Sequence, residues 1–410
     1  MLQIYLANYN SLCYFASMIA RIYHQRLKHL LKHFAIVTML GPRQCGKTTF
    51  IRSELPGWKY FDMEKPSDFS PFSADPEQRL KQLERQIILD EAHQLPALFP
   101  VLRSYADENR SEKGMFVLLG SASPGLVRDI SESLAGRTAF IELTPFLYEE
   151  AEAAHTENTL ECLWFRGGFP DPFLIEDNLA RIDWFDGYTR TFINRDLTMH
   201  GVQVTGTLMR RLWSMLAHFT GSVWNASRLA SSLGINYQTV NRYTDILEQT
   251  FLIRKLSPFY ANIGKRIVKS PKIYIRDTGL LHYFLGIDDP SVLDVHPSRG
   301  ASWEAFLIEQ ICSRFQLFFP NPRFFFWRTA GGAEVDLIIQ CSGRTIPFEI
   351  KLHSAPDRSM TKSMLSCMNG LNLPSGYIVY PGNEIFSLGN GITALPAEQL
   401  LRIRTLEELI

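Results

Sequence analysis

The sequence predicts an α/β chain of several domains, and three stretches carry that prediction. The apolar run 34–40 leads directly into Gly41-Pro42-Arg43-Gln44-Cys45-Gly46-Lys47-Thr48, residues 225–247 have the layout of a helix-turn-helix, and residues 324–351 read as three strands carrying acids and a lysine. A glycine-rich loop between an apolar strand and a helix belongs to parallel-sheet domains. The two later stretches call for a helical middle domain with a wing and for a separate α/β domain at the C-terminus.

The first stretch fits the phosphate-loop pattern G-x-x-x-x-G-K-[ST]. Its glycines let backbone N–H groups wrap a β-phosphate with no Cβ in the way, Lys47 reaches the β- and γ-phosphates, and the Thr48 hydroxyl ligates Mg2+. The expected nucleotide contacts are therefore Gly41, Pro42, Arg43, Gln44, Cys45, Gly46, Lys47, Thr48 and Thr49. The apolar strand 86–89 ends in Asp90-Glu91. Asp90 would hold Mg2+ through its water shell and Glu91 would orient or deprotonate the attacking water, although two acids after a strand also make an ordinary exit into a loop. A third strand, 115–120, runs into Ser121-Ala122-Ser123. Ser121 is then a candidate sensor of the γ-phosphate, while Ser123 before Pro124 could instead start a helix. Arg137, before the strand 140–143, is a candidate for stabilising transition-state charge or simply a solvated surface cation.

Composition sets limits. The chain has 410 residues, 46% of them hydrophobic, and a formal charge of zero, so it has the makings of two or three cores and no global basic field that advertises nucleic acid. Its six cysteines have no C-x-x-C spacing, which argues for reduced thiols in a cytoplasmic compartment and against a zinc site. Residues 1–17 lack a basic leader and any unbroken apolar stretch of membrane-spanning length, and the amphipathic pattern begins at Met18, a candidate start.

Beyond residue 155 the chain turns helical and aromatic. Gly167-Gly168-Phe169-Pro170 reads as a turn, and residues 184–197 as a helix bearing Arg190, Arg195 and Asp196. In the helix-turn-helix, the first helix ends at Gly234 and the second buries Val240, Tyr243, Ile246 and Leu247, with residues 251–256 as the first strand of a wing. A DNA reader would turn Gln238, Thr239, Asn241 and Arg242 to the groove, but this second helix has few basic residues and such modules also pack against protein. Lys265, Arg266, Lys269 and Lys272 form a denser positive run, of the kind that is often a solvated loop.

In the last third, residues 303–310 predict an amphipathic helix, and 324–328, 332–339 and 346–351 predict strands. Residues two apart on a strand share a face, so Glu349 and Lys351 point the same way, with Asp336 expected beside them. Asp336 and Glu349 would hold a divalent metal, Glu304 would complete its shell, and Lys351 would position or activate water against a phosphodiester. This arrangement resembles the PD-(D/E)xK nuclease fold.

Taken together, the chain resembles the bacterial and archaeal AAA-type P-loop ATPases that carry a C-terminal domain of unknown function with a restriction-endonuclease-like core. The resemblance spans about residues 21–401 and rests on the phosphate loop through Thr49, Leu89-Asp90-Glu91-Ala92-His93, Ser133-Leu134-Ala135-Gly136-Arg137, Gly167-Gly168-Phe169-Pro170, Tyr274-Ile275-Arg276-Asp277-Thr278-Gly279-Leu280-Leu281, Glu334-Val335-Asp336 and Phe348-Glu349-Ile350-Lys351. Cys45 stands where that family more often has a small aliphatic residue. The resemblance implies ATP and Mg2+ as cofactors, ATP hydrolysis in the cytoplasm, and a role in DNA transactions or defence. It also implies a homo-oligomer in which Arg137, Arg190 or Arg195 reaches a neighbouring site. The expected division is 18–155 for the ATPase domain, 156–290 for the helical and winged-helix domain, and 291–410 for the nuclease-like domain. Either the last two act on DNA, or the nuclease-like domain is a catalytically silent interaction platform and the chain a nucleotide-dependent switch.

Overall fold

The computed structural model describes residues 19–83, 85–121, 130, 132–155, 157–196, 205–259 and 270–409, with Ser121 and Asp196 described by their backbone alone. Residues 1–18, Ser123 with Pro124, Leu197, and Lys265, Arg266 and Lys269 of the positive run lie outside these. The described residues form two compact units, one drawn from positions up to 146 with 169–174 and 249–251, the other from 147–168, 175–248 and 252 onward.

The first unit begins with α1 (His24–His33), β1 (Ile36–Gly41), α2 (Lys47–Glu54) and β2 (Lys59–Asp62), followed by α3 (Pro66–Ala74) and α4 (Pro76–Leu83). It continues through β3 (Ile87–Asp90), α5 (Leu98–Glu108), β4 (Phe116–Ser121) and β5 (Thr138–Glu142). All five strands are parallel, in the order β2-β3-β4-β1-β5. β1 is buried along its whole length, as an unbroken apolar strand covered on both faces must be. Parallel pairing brings the ends of β1, β3 and β4 to one edge, with Gly41 level with Ser121 and Asp62 with Asp90. Gly41 is required by a close approach: a Cβ there would lie 2.1 Å from the Leu143 carbonyl oxygen.

The second unit opens with α6 (Tyr148–Ala154), α7 (Thr159–Arg166), α8 (Asn178–Thr191), α9 (Gly206–His218) and β6 (Ser222–Val223). α8 starts earlier than the expected helix and ends earlier too, in a π-turn over Phe192–Asp196. Next come α10 (Ala226–Leu233) and α11 (Tyr237–Gln249). Asn225 caps α10 by accepting from the Arg228 N–H at 3.0 Å, Gly234 ends it at φ 68°, and Asn236 accepts from Thr239 N–H at 2.7 Å to start α11. The buried face of α11 contains Val240, Tyr243, Ile246 and Leu247, as its spacing predicts.

The antiparallel pair β7 (Ile253–Pro258) and β8 (Lys272–Ile275) follows, with β6 on its far side. α12 (Thr278–Leu285), α13 (Pro290–Val295) and the long α14 (Arg299–Phe318) then lead into β9 (Arg323–Arg328), β10 (Glu334–Cys341) and β11 (Arg344–Ile350). The chain finishes through α15 (Lys362–Leu371), β12 (Gly376–Tyr380), β13 (Phe386–Gly389) and β14 (Ile392–Pro396).

The wing and the C-terminal strands, expected in different domains, share one mixed sheet of nine strands, ordered β13-β14-β12-β11-β10-β9-β7-β8-β6. The join is a short parallel ladder in which Ser257 meets Phe325 and Pro258 meets Phe326. β7 and β9 lie more than sixty positions apart, and no local pattern encodes so distant a pairing.

Within this unit the run from Tyr274 to Leu281 works as a set of ties. The Tyr274 hydroxyl donates to Glu304 at 2.6 Å, Arg276 donates to Glu309, and Asp277 caps α12 through the Leu280 N–H at 2.8 Å. Asp277 also accepts from the Gly168 N–H at 2.7 Å. Gly167 has φ 78°, and a Cβ there would fall 2.3 Å from the Asp277 carboxylate. Gly167→Ala is therefore expected to destabilise the second unit by about 2 kcal/mol or more, through strain and loss of this tie. Urea denaturation followed by tryptophan fluorescence measures it, and an unchanged midpoint would show that the turn accommodates a side chain.

Candidate functional site

In the first unit, the phosphate loop, Asp90 and Glu91 converge on a cavity of about 330 Å3, a size suited to a small-molecule ligand. Lys47 is buried, and its ammonium donates to the carbonyl oxygens of Gly41 at 3.1 Å and Pro42 at 2.8 Å. The cation is thus folded over its own loop, where it is placed to exchange carbonyl partners for phosphate oxygens. Gly46 has φ 94° at the start of α2, which directs the first turn of that helix, with its free N–H groups, toward the cavity.

Thr48 Oγ1 donates to Asp90 Oδ2 at 2.6 Å, and the Tyr60 hydroxyl donates to the same oxygen at 2.7 Å. Asp90 Oδ1 accepts from the Glu91 N–H at 2.9 Å. Burial pushes the Asp90 carboxyl above the usual carboxylate range, and the bonds from Thr48 and Tyr60 only partly offset it. A divalent cation between Thr48 and Asp90 would restore the ionised form, so this donor set fits Mg2+. Glu91 takes the left-handed conformation at φ 50°, a strained choice for a non-glycine residue, and its Oε2 lies 3.2 Å from His93 Nδ1.

Several lining residues were not expected from the sequence. Arg21 spans the base of the loop, donating to the carbonyl oxygens of Cys45 at 2.9 Å and Thr144 at 2.5 Å, with its guanidinium 5.1 Å from the Phe146 ring. Ile19, Phe146 and Pro170 supply apolar wall, and Asp171 lies beside them. Pro170 ends the Gly-Gly-Phe-Pro turn and Asp171 follows it, a stretch with no nucleotide-binding pattern of its own. Tyr60 lies on β2, a strand with no signal beyond four mixed residues.

The remaining expected residues divide. Arg43, Gln44 and Thr49 line the cavity, with Gln44 at φ 60°. Cys45 is fully buried beneath the loop, its Sγ 3.3 Å from the Leu143 carbonyl oxygen, so it is a packing thiol and not an accessible one. Ser121 ends β4 level with Gly41. Arg137 is engaged with Asp107 at 3.0 and 3.1 Å and with the Ala135 carbonyl oxygen at 2.6 Å. Arg190 pairs with Asp186 at 2.5 Å, and Arg195 is exposed in the π-turn.

The acidic set of the second unit differs from the expected one. β10 and α14 bring Asp336 and Glu304 together, but the buried ammonium of Lys272, from β8, stands among them. Its Nζ lies 3.0 Å from Glu304 Oε1 and 3.6 Å from Asp336 Oδ1, and it also pairs closely with Glu334. Burial alone would lower the Lys272 pKa, but Tyr274 and the three carboxylates overcome it and hold the value well above that of an ordinary lysine. Glu304 is pushed up to about 7, first by burial and then by the charge of Asp336. Asp336 Oδ2 accepts from the Ile350 N–H at 2.8 Å.

Glu349 and Lys351 do share a face, with Lys351 Nζ 2.7 Å from Glu349 Oε1. The other Glu349 oxygen is buried without a hydrogen-bond partner. Burial raises the Glu349 pKa despite Lys351. The expected shell of Glu304, Asp336 and Glu349 round one ion is thus not what the described residues present: two of the acids face Lys272, the third faces Lys351, and Glu334 takes a place that was not assigned to it. Among the described residues no group of three or more His, Cys, Asp or Glu side chains is gathered to hold a metal. An ammonium keeps carboxylate oxygens at hydrogen-bond distance, farther apart than the ~2.0–2.6 Å ligation of a hard divalent cation draws them. Lys272, expected in a positive surface run, is instead 2% exposed.

Among the described residues no helix is long and apolar enough to cross a membrane. Residues 33–152 match the family model described as AAA domain, 157–291 match Domain of unknown function (DUF8612), and 299–400 match Domain of unknown function (DUF4143). The chain is 43% identical over 389 residues to Uncharacterized protein Rv2008c of Mycobacterium tuberculosis (strain ATCC 25618 / H37Rv), covering 94% of this chain and 85% of that protein. The same figures hold for Uncharacterized protein Mb2031c of Mycobacterium bovis (strain ATCC BAA-935 / AF2122/97). Of solved structures, it is similar to the Walker-type ATPase PABY2304 of Pyrococcus abyssi, at TM-score 0.45 and 15% identity over 65% of this chain and 96% of that one. It is also similar to the RuvB Holliday junction branch migration motor of Thermotoga maritima, at TM-score 0.31 and 20% identity over 58% and 90%. The chain therefore belongs to one family with the two mycobacterial proteins, and its N-terminal part is an AAA-family P-loop ATPase domain.

Proposed function

We propose that this chain is a Mg2+-dependent ATPase that works as a nucleotide-dependent switch, its second unit responding to whether the phosphate loop is filled. The observation that carries the reading is the strap at 167–171. The chain passes from the second unit to the first between Gly168 and Phe169. Gly168 is held by Asp277 at 2.7 Å, and two residues later Pro170 forms part of the nucleotide cavity wall. A displacement of Pro170 on nucleotide binding has only two residues of chain in which to dissipate before it reaches the Asp277 cap of α12. Bound Mg2+ would neutralise phosphate charge; Lys47 would meet the phosphates, Thr48 and Asp90 would hold the cation, and Glu91 would orient the attacking water.

The alternative, direct action on DNA, has in its favour the helix-turn-helix of α10 and α11 and the exposure of Gln238 and Arg242. Against it, Asp245 and Glu248 on the same helix pair with Lys255, leaving acid as well as base on that surface. Asn241 is used inside the unit, where it accepts from Trp224 Nε1 at 3.0 Å. The C-terminal strands, nuclease-like in their acid pattern, serve in this proposal as a scaffold, with Asp336 on β10 and the Glu349, Lys351 pair at the end of β11. Assembly as a homo-oligomer is part of the proposal, with exposed Arg190 and Arg195 the candidates to reach a neighbour.

Glu91→Gln separates binding from turnover. It is expected to bind Mg2+-ATP and hydrolyse it slower by roughly two orders of magnitude or more. Hydrogen exchange on that trapped state should be slowed at residues 274–285 relative to the nucleotide-free protein. Unchanged exchange there would remove the switch. Turnover stimulated by single-stranded, duplex or branched DNA, with cleavage products followed in parallel, would favour the DNA reading instead.

A further inference from the structure

We propose that Lys272 is the resident cation of the acidic site in the C-terminal sheet, occupying the place of a divalent metal and making the site metal-free. The proposal does not depend on the ATPase reading, since every residue it uses lies in the second unit.

Three carboxylates from two elements face one ammonium: Glu304 on α14, and Glu334 and Asp336 on β10. Such a group is unstable without a cation, because like charges at short range in a poorly solvated place repel strongly. A divalent ion is the usual remedy, and the PD-(D/E)xK resemblance implies one. Here a lysine covalently fixed to the neighbouring strand supplies the charge at no cost in binding entropy. It is built in on every side. Its side chain is 2% exposed, and its Nζ lies 5.7 Å from the centre of the Phe326 ring and 6.0 Å from that of Tyr274. The Tyr274 hydroxyl donates to the same Glu304 oxygen that faces the ammonium, and Arg328 approaches the second Glu334 oxygen at 3.2 Å.

The other half of the expected catalytic set is neutralised in the same manner. Lys351 is paired with Glu349, and the remaining Glu349 oxygen is buried with no donor. A cleaving site needs an open cation position that can accept a phosphodiester oxygen, and an ammonium whose donors are turned to Glu304 and Glu334 offers none. The C-terminal sheet thus retains a nuclease-like acid pattern while using it to fasten β8 to α14 and β10.

The test is Mn2+ binding to the nucleotide-free protein, read by electron paramagnetic resonance of free Mn2+, for wild type, Lys272→Met and Lys272→Met/Asp336→Asn. Methionine matches the lysine stem in length and lacks its charge. Weak binding at the phosphate loop is common to all three and cancels in the comparison. The expected result is one additional Mn2+ site in Lys272→Met, tighter than any site in wild type by about tenfold or more and lost in the double variant, together with thermal stabilisation of Lys272→Met by Mn2+. A folded Lys272→Met with no added site would overturn the proposal. So would a Mn2+ site in wild type that Asp336→Asn abolishes, a measurement that stands even if Lys272→Met fails to fold.

Discussion

Lys47→Ala is expected to abolish ATP turnover, leaving less than about one part in a thousand of the wild-type rate, while the first unit keeps its fold. The structure separates these two outcomes. Lys47 donates to the carbonyl oxygens of Gly41 and Pro42, both buried, and no acid is paired with it in the described hydrogen bonds. Removing the ammonium takes one donor from each of two buried carbonyls, a cost of about 1–3 kcal/mol. By contrast, the phosphates lose the cation placed to meet charge on their non-bridging oxygens. Circular dichroism should be unchanged, the urea midpoint should fall by no more than this cost implies, and ATP hydrolysis measured by phosphate release should fall to background. Turnover at the wild-type rate in a folded Lys47→Ala protein would remove the ATPase assignment. Arg21 provides a useful contrast, because it holds the loop from beneath through Cys45 and Thr144. Its replacement should lower both stability and nucleotide affinity.

The convergence of the phosphate loop with Asp90 and Glu91 on one cavity was legible because its chemistry is local. A phosphate loop places cation, hydroxyl and N–H groups within one strand-to-helix turn, so Gly41 to Thr48 could be read directly. Asp90 and Glu91 needed only a strand of the right length before them. Tyr60 and Arg21 were not legible, since each reaches the site from a distant element, Arg21 across to Thr144 and Tyr60 from the neighbour of β3. Strand order was equally hidden. β4 lies between β1 and β3, and apolar parallel strands carry little pattern that distinguishes one neighbour from another.

Lys272 is the more instructive miss. Read with Lys265, Arg266 and Lys269 it belongs to a charge run, and charge runs are ordinarily solvated. Its burial depends on β7 pairing with β9, which continues the wing into the C-terminal sheet and brings β8 to the acids of β10 and α14. One cue was present: Lys272 and Tyr274 alternate on one strand face, and a lysine two places from a tyrosine in an otherwise apolar strand asks for a nearby acid. Of the expected acids, Glu304 and Asp336 face Lys272 together with Glu334, while Glu349 pairs with Lys351.

Glu309→Gln is expected to destabilise the second unit by about 3–5 kcal/mol, a larger loss than that expected for Gly167→Ala. Glu309 lies on α14 and accepts from Arg254 Nε at 2.8 Å, from Arg276 Nε at 2.9 Å and Nη2 at 2.6 Å, and from Ser313 Oγ at 3.0 Å. Burial alone would raise its pKa, but Arg254 and then Arg276 hold it down at about 2. The amide keeps the shape and leaves two largely buried guanidinium groups facing a neutral group in place of the carboxylate. The pH dependence identifies the cause. Because the folded value is depressed, the stabilisation is fully present above the ordinary carboxylate range and is lost as pH falls from about 4.5 toward 2. Buried His282 acts in a different window. Its ring lies between the Phe165 carbonyl oxygen at 2.8 Å and the Ser302 hydroxyl at 2.6 Å, and burial lowers its pKa from 6.5 to about 4. The folded state favours the neutral ring, so its contribution disappears as pH falls from 6.5 toward 4. Urea unfolding from pH 7 to 2.5 should therefore show wild type and Glu309→Gln losing stability in parallel down to about pH 4.5, and only wild type losing the Glu309 contribution below it. Parallel curves over the whole range would mean that the two arginines find other partners and that Glu309 is not what secures α14 to β7.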